Sequence, residues 1–195
     1  MFRSAFALLA LMCLIQSAQA LEACPAPDLN NQSSSQIAAA LKALKPQELK
    51  TPPELECQGG FNVNAVAAKS RQLCMFEGKF PLTTAGLLSI AEHDEATTLV
   101  YAQKYSAKQH TQIAQTLAKK YPRISAEQYP GKIDADLPVQ ATDYFSADGI
   151  YITLLRPDKK MSPATEGYLS VIIYEKSAHV GMLARVDKEC TATTP

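Results

Sequence analysis

His93 stands between Glu92 and Asp94, with Glu95 following. An imidazole flanked by carboxylates is an arrangement that orients the ring for general acid/base work when it lines a cleft. This sets up one expectation, a hydrolase using His93 with Asp94 or Glu95. The blander reading is that four consecutive polar residues form the solvated tip of a hairpin. His110 and His179 stand far from His93 and from each other, and no two of the three histidines have the i, i+4 or i, i+2 spacing of a metal-binding pair. No metal and no cofactor is therefore expected. Gly-x-Ser-x-Gly, His-Glu-x-x-His and a glycine-rich phosphate loop do not occur, and no Ser-x-x-Lys comes with its companion motifs, so His93 is the single catalytic candidate.

Cys24, Cys57, Cys74 and Cys190 follow a leader-like start that itself contains Cys13. Arg3 supplies a positive start, Ala5 to Ile15 carry no charge, and Ala18-Gln19-Ala20 offers small residues for cleavage, which is the pattern of a secretory signal over residues 1–20. Four cysteines exported to an oxidising compartment predict an even disulfide set. Four cysteines allow three pairings. The expected one joins Cys24 to Cys57 and Cys74 to Cys190, although spacing alone leaves all three open. Redox exchange is disfavoured because no Cys-x-x-Cys pair is present. Leu21-Glu22-Ala23-Cys24 is a poor version of a lipidation signal, and a lipoprotein anchored through Cys24 is the alternative to a periplasmic or secreted protein. Lipidation would strand one thiol of the remaining three.

Tyrosine offers a different chemistry, that of contact. All eight tyrosines lie between Tyr101 and Tyr174. Tyr144, Tyr151, Tyr168 and Tyr174 fall in extended segments, and tyrosine is enriched at protein interfaces because it joins apolar area to a polar tip. The competing reading is that sheets favour aromatic residues and that these rings edge a core. A shared, exposed sheet face would favour the interface.

Composition narrows the partners. The 195-residue chain has 19 basic and 19 acidic residues, no tryptophan and no block of like charge. Phosphate binding needs a positive field that this balance does not supply, so no nucleic-acid partner is expected. The apolar run near the start is shorter than the ~20 residues of a membrane span, and no later segment approaches that length.

The elements that would position these groups can be read from periodicity. Residues 21–60 form a proline-broken arm with one short helix, capped from Ser33, Ser34 or Ser35, striped by Ile37, Leu41 and Leu44, and stopped by Pro46. A second helix is expected after Asn62 or Asn64, with Val63, Val66, Ala67 and Leu73 on one side. Strands follow at 73–80 and at 87–91 and 97–105, the last two flanking the His93 turn. A third helix runs from a Ser106 cap to Tyr121, before Pro122, with Ile113, Ala114 and Leu117 on its apolar face. Four strands close the chain, at 139–145, 150–155, 168–174 and 180–186.

Strand runs around a central helix, joined by short turns, predict an α+β fold over residues 61–195 in a single domain. The expected architecture is a mainly antiparallel sheet with helices on one face, stapled by disulfides and preceded by a cleaved signal peptide. The expected function is that of an exported, periplasmic protein that binds a protein partner rather than catalysing a reaction. An inhibitor or immunity-type protein acting on an envelope-directed enzyme fits, because a rigid scaffold lowers the ordering cost of association. The rivals are the His93 hydrolase and an envelope assembly or structural subunit, which would expose a strand edge or a large apolar patch.

Overall fold

The computed structural model describes residues 26–46, 70–93, 96–130, 139–157 and 167–177. Helix α1 spans Ser34–Ala43. The Ser33 hydroxyl accepts the amide of Gln36 at 3.3 Å, while the Gln36 side chain accepts the amide of Ser33 at 2.8 Å, a reciprocal capping box. The helix ends at Leu44, which is extended. Ile37, Ala38 and Leu41 form its buried stripe.

Strands β1 (Ser70–Phe76), β2 (Gly86–His93) and β3 (Ala96–Lys104) form an antiparallel meander. Helix α2 (Ala107–Lys120) then carries the chain across to β4 (Arg123–Ile124), followed by β5 (Val139–Ala147), β6 (Ile150–Pro157) and β7 (Tyr168–Glu175). The seven strands order as β1-β2-β3-β7-β6-β5-β4, and all pairs are antiparallel. The last of the described strands, β7, is thus placed at the centre, joining two meanders into one sheet. Together with the two helices of the described residues, this is an α+β fold.

Both helices lie on one face of the sheet. Ile37, Ala38 and Leu41 of α1 and Ile113, Ala114 and Leu117 of α2 share one core with Leu88, Ile90, Leu99, Tyr101, Val171, Ile173, Ile152, Leu154 and Phe145. Register explains the set. Cys74, Leu88, Tyr101, Val171 and Leu154 form one row of neighbours across the strands, and Ile90, Leu99, Ile173, Ile152 and Phe145 form the next. Alternation places every second residue of each strand on this side, with β5 out of step at the register shift between Ala141 and Asp143.

Several expectations need correction. Leu73 is not part of a helical stripe: it lies within β1, where Leu73 and Met75 point away from the helices and Cys74 points toward them. The strand also runs earlier than expected, from Ser70, and stops at Phe76 rather than at residue 80. It stops because the following loop folds back onto β3. Buried Gln103 accepts the amides of Thr83 and Thr84 at 2.9 and 3.2 Å, and a Cβ on Gly78 would meet the Thr84 backbone at 2.6 Å. The short β4 was not expected at all. Ser106 does occupy the cap position of α2, but its side chain makes no capping bond. The helix expected after residue 62, the strand at 180–186 and the leader over residues 1–20 lie outside the described residues.

Cys74 is 1 % exposed on the helix side. It is the one cysteine among the described residues, since Cys24, Cys57 and Cys190 lie outside them.

Candidate functional site

Parity along the strands determines what the sheet offers on the face away from the helices. One row crosses all seven strands there: Leu73, Ser89, Val100, Ile172, Thr153, Tyr144 and Ile124. A second contains Ala91, Thr98, Tyr174, Tyr151 and Ser146, and a third Met75, Leu87, Ala102, Ser170, Leu155 and Ala141. Tyr168 pairs with Lys104 and belongs to the same face by its even spacing from Tyr174.

The register therefore sets Tyr144, Tyr151, Tyr168 and Tyr174 on one side of the sheet, although they differ in exposure. Tyr168 is 57 % exposed, Tyr144 and Tyr151 are half-buried, and Tyr174 is 2 % exposed. The reason is Tyr129, which follows β4 and lies over this part of the sheet. Its ring stacks on Tyr144 with centroids 4.7 Å apart and meets Tyr151 edge-on at 5.6 Å. Its hydroxyl hydrogen-bonds with Tyr174. The Lys176 ammonium stands 5.0 Å from the Tyr151 ring centre. Burial pushes the Tyr129 and Tyr174 phenols well above their ordinary value, and Tyr129 raises Tyr174 further. These hydroxyls stay neutral at physiological pH.

Toward β1 the character changes. Leu73 is 47 % exposed and Met75 49 % exposed, and with Tyr168 they are the exposed large apolar side chains among the described residues. All three lie on this face. Sequence reasoning missed Leu73 and Met75 as site residues because a lone period-two pair in a short strand does not show which side is covered. It missed Tyr129 because nothing local marks a turn residue as the cap of a distant sheet.

His93 ends β2 opposite Ala96, and Asp94 and Glu95 lie outside the described residues. Among the described residues no group of three or more His, Cys, Asp or Glu side chains is placed to hold a metal ion. No helix is long and apolar enough to cross a membrane among those residues.

A different histidine makes a defined contact. His110 Nε2 lies 2.8 Å from Thr142 Oγ1, at the point where the β5–β6 register shifts between Ala141 and Asp143. Desolvation holds the imidazole below its ordinary value, with Asp143 opposing that shift and Arg156 adding to it. A neutral imidazole within reach of a hydroxyl is the distance relationship of a base and a nucleophile. Here the Thr142 hydroxyl also lies 3.3 Å from the Leu154 carbonyl, which can take its proton, so the imidazole N–H donates to Thr142 and ties α2 to the bulge. Asp143 is held 3.0 Å from Arg123, and Arg156 is held by Gln140 at 2.9 Å. These ion and hydrogen-bond partners fix strands to one another.

Comparison with known proteins gives no match to a family model, to a curated protein or to a solved structure.

Proposed function

We propose that this is an exported, periplasmic protein that binds another protein through the sheet face opposite its helices, as an inhibitor or immunity-type protein acting on an envelope-directed enzyme. The observation that carries this reading is the placement of Leu73, Met75 and Tyr168, the exposed large apolar side chains among the described residues, on that single face. Scattered apolar residues are ordinary on a surface, whereas their concentration on one side marks a contact region. Strand spacing puts β1 and β7 roughly 14 Å apart, so one partner surface of ordinary size reaches all three residues. Tyr144 and Tyr151, held against Tyr129, add a pre-ordered aromatic border that loses little freedom on binding.

Export and disulfide formation belong to the same proposal. Cys74 is buried, and the proposal pairs it with Cys190 in a disulfide, leaving Cys24 with Cys57, as an oxidising destination would allow. The bond from Cys74 would tie Cys190 to β1.

The test is affinity capture by the mature chain from an envelope extract of the source organism, with identification by mass spectrometry. A single stoichiometric protein partner is expected. Capture of none, in the presence of a measurable hydrolase activity that His93→Ala abolishes, would replace this reading with the enzyme.

A further inference from the structure

The two edges of the sheet are built differently. Among the described residues β4 closes one edge with two residues, and its Arg123 is held by Asp143 at 3.0 Å. Among the same residues β1 closes the other edge with seven, and β2 is its strand neighbour. The β1 register runs unbroken from Ser70 opposite Glu92 to Phe76 opposite Gly86, so no bulge twists the strand away. It holds no proline and no lysine. Short length, bulges, proline and lysine are the devices that keep a strand edge from pairing with another chain; β4 has the first, and β1 has none of them. Instead β1 presents Leu73 and Met75, two residues apart on one face and 47 % and 49 % exposed.

An edge of this kind is completed by a strand added antiparallel, and a second β1 related by a two-fold axis meets the same surface on its copy. An axis at Leu73 would set Leu73 against itself and Met75 against Arg71, while one at Met75 would set Leu73 against Glu77. An axis at Cys74 sets Leu73 against Met75 on both sides, and the same register sets Arg71 against Glu77. Apolar match and charge match therefore coincide in one register, and directly opposed pairs of these kinds stabilise antiparallel strands. The Glu77 side chain is 88 % exposed, and its contact with Lys79 at 3.4 Å joins two exposed groups, so it exchanges partners at little cost. The Cys74 side chain is buried on the helix side and takes no part. We propose that two copies of this chain pair antiparallel through β1, about a two-fold axis at Cys74, into one continuous sheet. The helices of both copies then lie on the same side of it. One strand pair makes a contact smaller than a standard interface, so the dimer is weak and concentration-dependent. It is independent of the partner-binding reading, because the strand edge makes it.

Sedimentation velocity over a concentration series tests the pairing, with Leu73→Lys, Arg71→Glu, Glu77→Arg and the combined Arg71→Glu/Glu77→Arg variant beside the parent. A monomer–dimer equilibrium is expected for the parent, and Leu73→Lys should abolish it by placing a charge in the middle of the edge. Each single charge reversal should weaken the dimer about ten-fold, since the pair occurs twice, and the combined reversal should restore it. Restoration singles out this register, and a variant that had merely failed to fold would not show it. A parent that stays monomeric up to millimolar concentration would overturn the proposal and leave the partner-binding reading standing. A dimer indifferent to all four variants would overturn it as well, because the copies would then meet elsewhere.

Discussion

Glu175 Oε1 lies 3.3 Å from Lys42 Nζ, joining the end of β7 to the last turn of α1. The carboxylate is 5 % exposed and the ammonium side chain 58 %, so one partner is buried and the other is wet. Ser177 Oγ lies 2.9 and 2.7 Å from the two carboxylate oxygens and supplies a further donor. Removing the lysine leaves a buried charge with less compensation, whereas the half-exposed geometry limits the loss. Lys42→Ala should therefore lower stability by about 1 kcal/mol, and adding Glu175→Gln should recover part of it. Urea midpoints of the two variants check this.

The tip of the β5–β6 hairpin gives a sharper effect. Gly149 has φ of 80°, a conformation that side chains resist, and a Cβ there would stand 2.7 Å from the Cβ of Ala38 in α1. Gly149→Ala should cost about 1–3 kcal/mol. Thermal unfolding measures it, and an unchanged midpoint would show that α1 does not pack on this turn.

His110 predicts an acid limb. Its folded value is lowered from 6.5, chiefly by desolvation, so the unfolded chain binds the proton more readily. The contribution is present above pH 6.5 and is lost as pH falls below it. Unfolding free energy measured across this range should decline on acidification, and Thr142→Val should weaken the protein by removing the partner at 2.8 Å.

The buried phenols predict an alkaline limb of opposite sign. Tyr101, Tyr129 and Tyr174 are raised well above 10, and Tyr121 to about 12, by burial. Their stabilisation is complete below pH 10 and is lost as pH rises through the folded values. Phenolate absorbance from these residues should appear together with loss of the circular dichroism of the fold, not before it.

Local rules reached the helices further than the strands. The Ser33 capping box, and Pro122 directly after Tyr121, write the bounds of α1 and α2 into adjacent residues. The end of β1 depends on Gln103 binding a loop some 20 residues away, and β4 exists because Arg123 and Ile124 pair with Phe145 and Tyr144. Neither partner can be inferred from neighbours in sequence. For the site, alternation showed that Leu73 and Met75 share a side, but only the structure shows that these two are exposed there, while Tyr129, Leu155, Ile172 and Tyr174 form a buried cluster on the same face. Tyr174 illustrates the same limit: its position on the tyrosine face follows from register, and its burial follows from contacts that the sequence does not display.

With a captured partner in hand, the decisive measurement is its affinity for Met75→Glu and Tyr168→Ser beside a control, Lys119→Glu, on the exposed side of α2. The binding-face account predicts that the first two weaken binding by about 30-fold, as loss of interface anchors does, and that the control binds as the parent does. Equal affinity for all three, or a loss confined to Lys119→Glu, would contradict it.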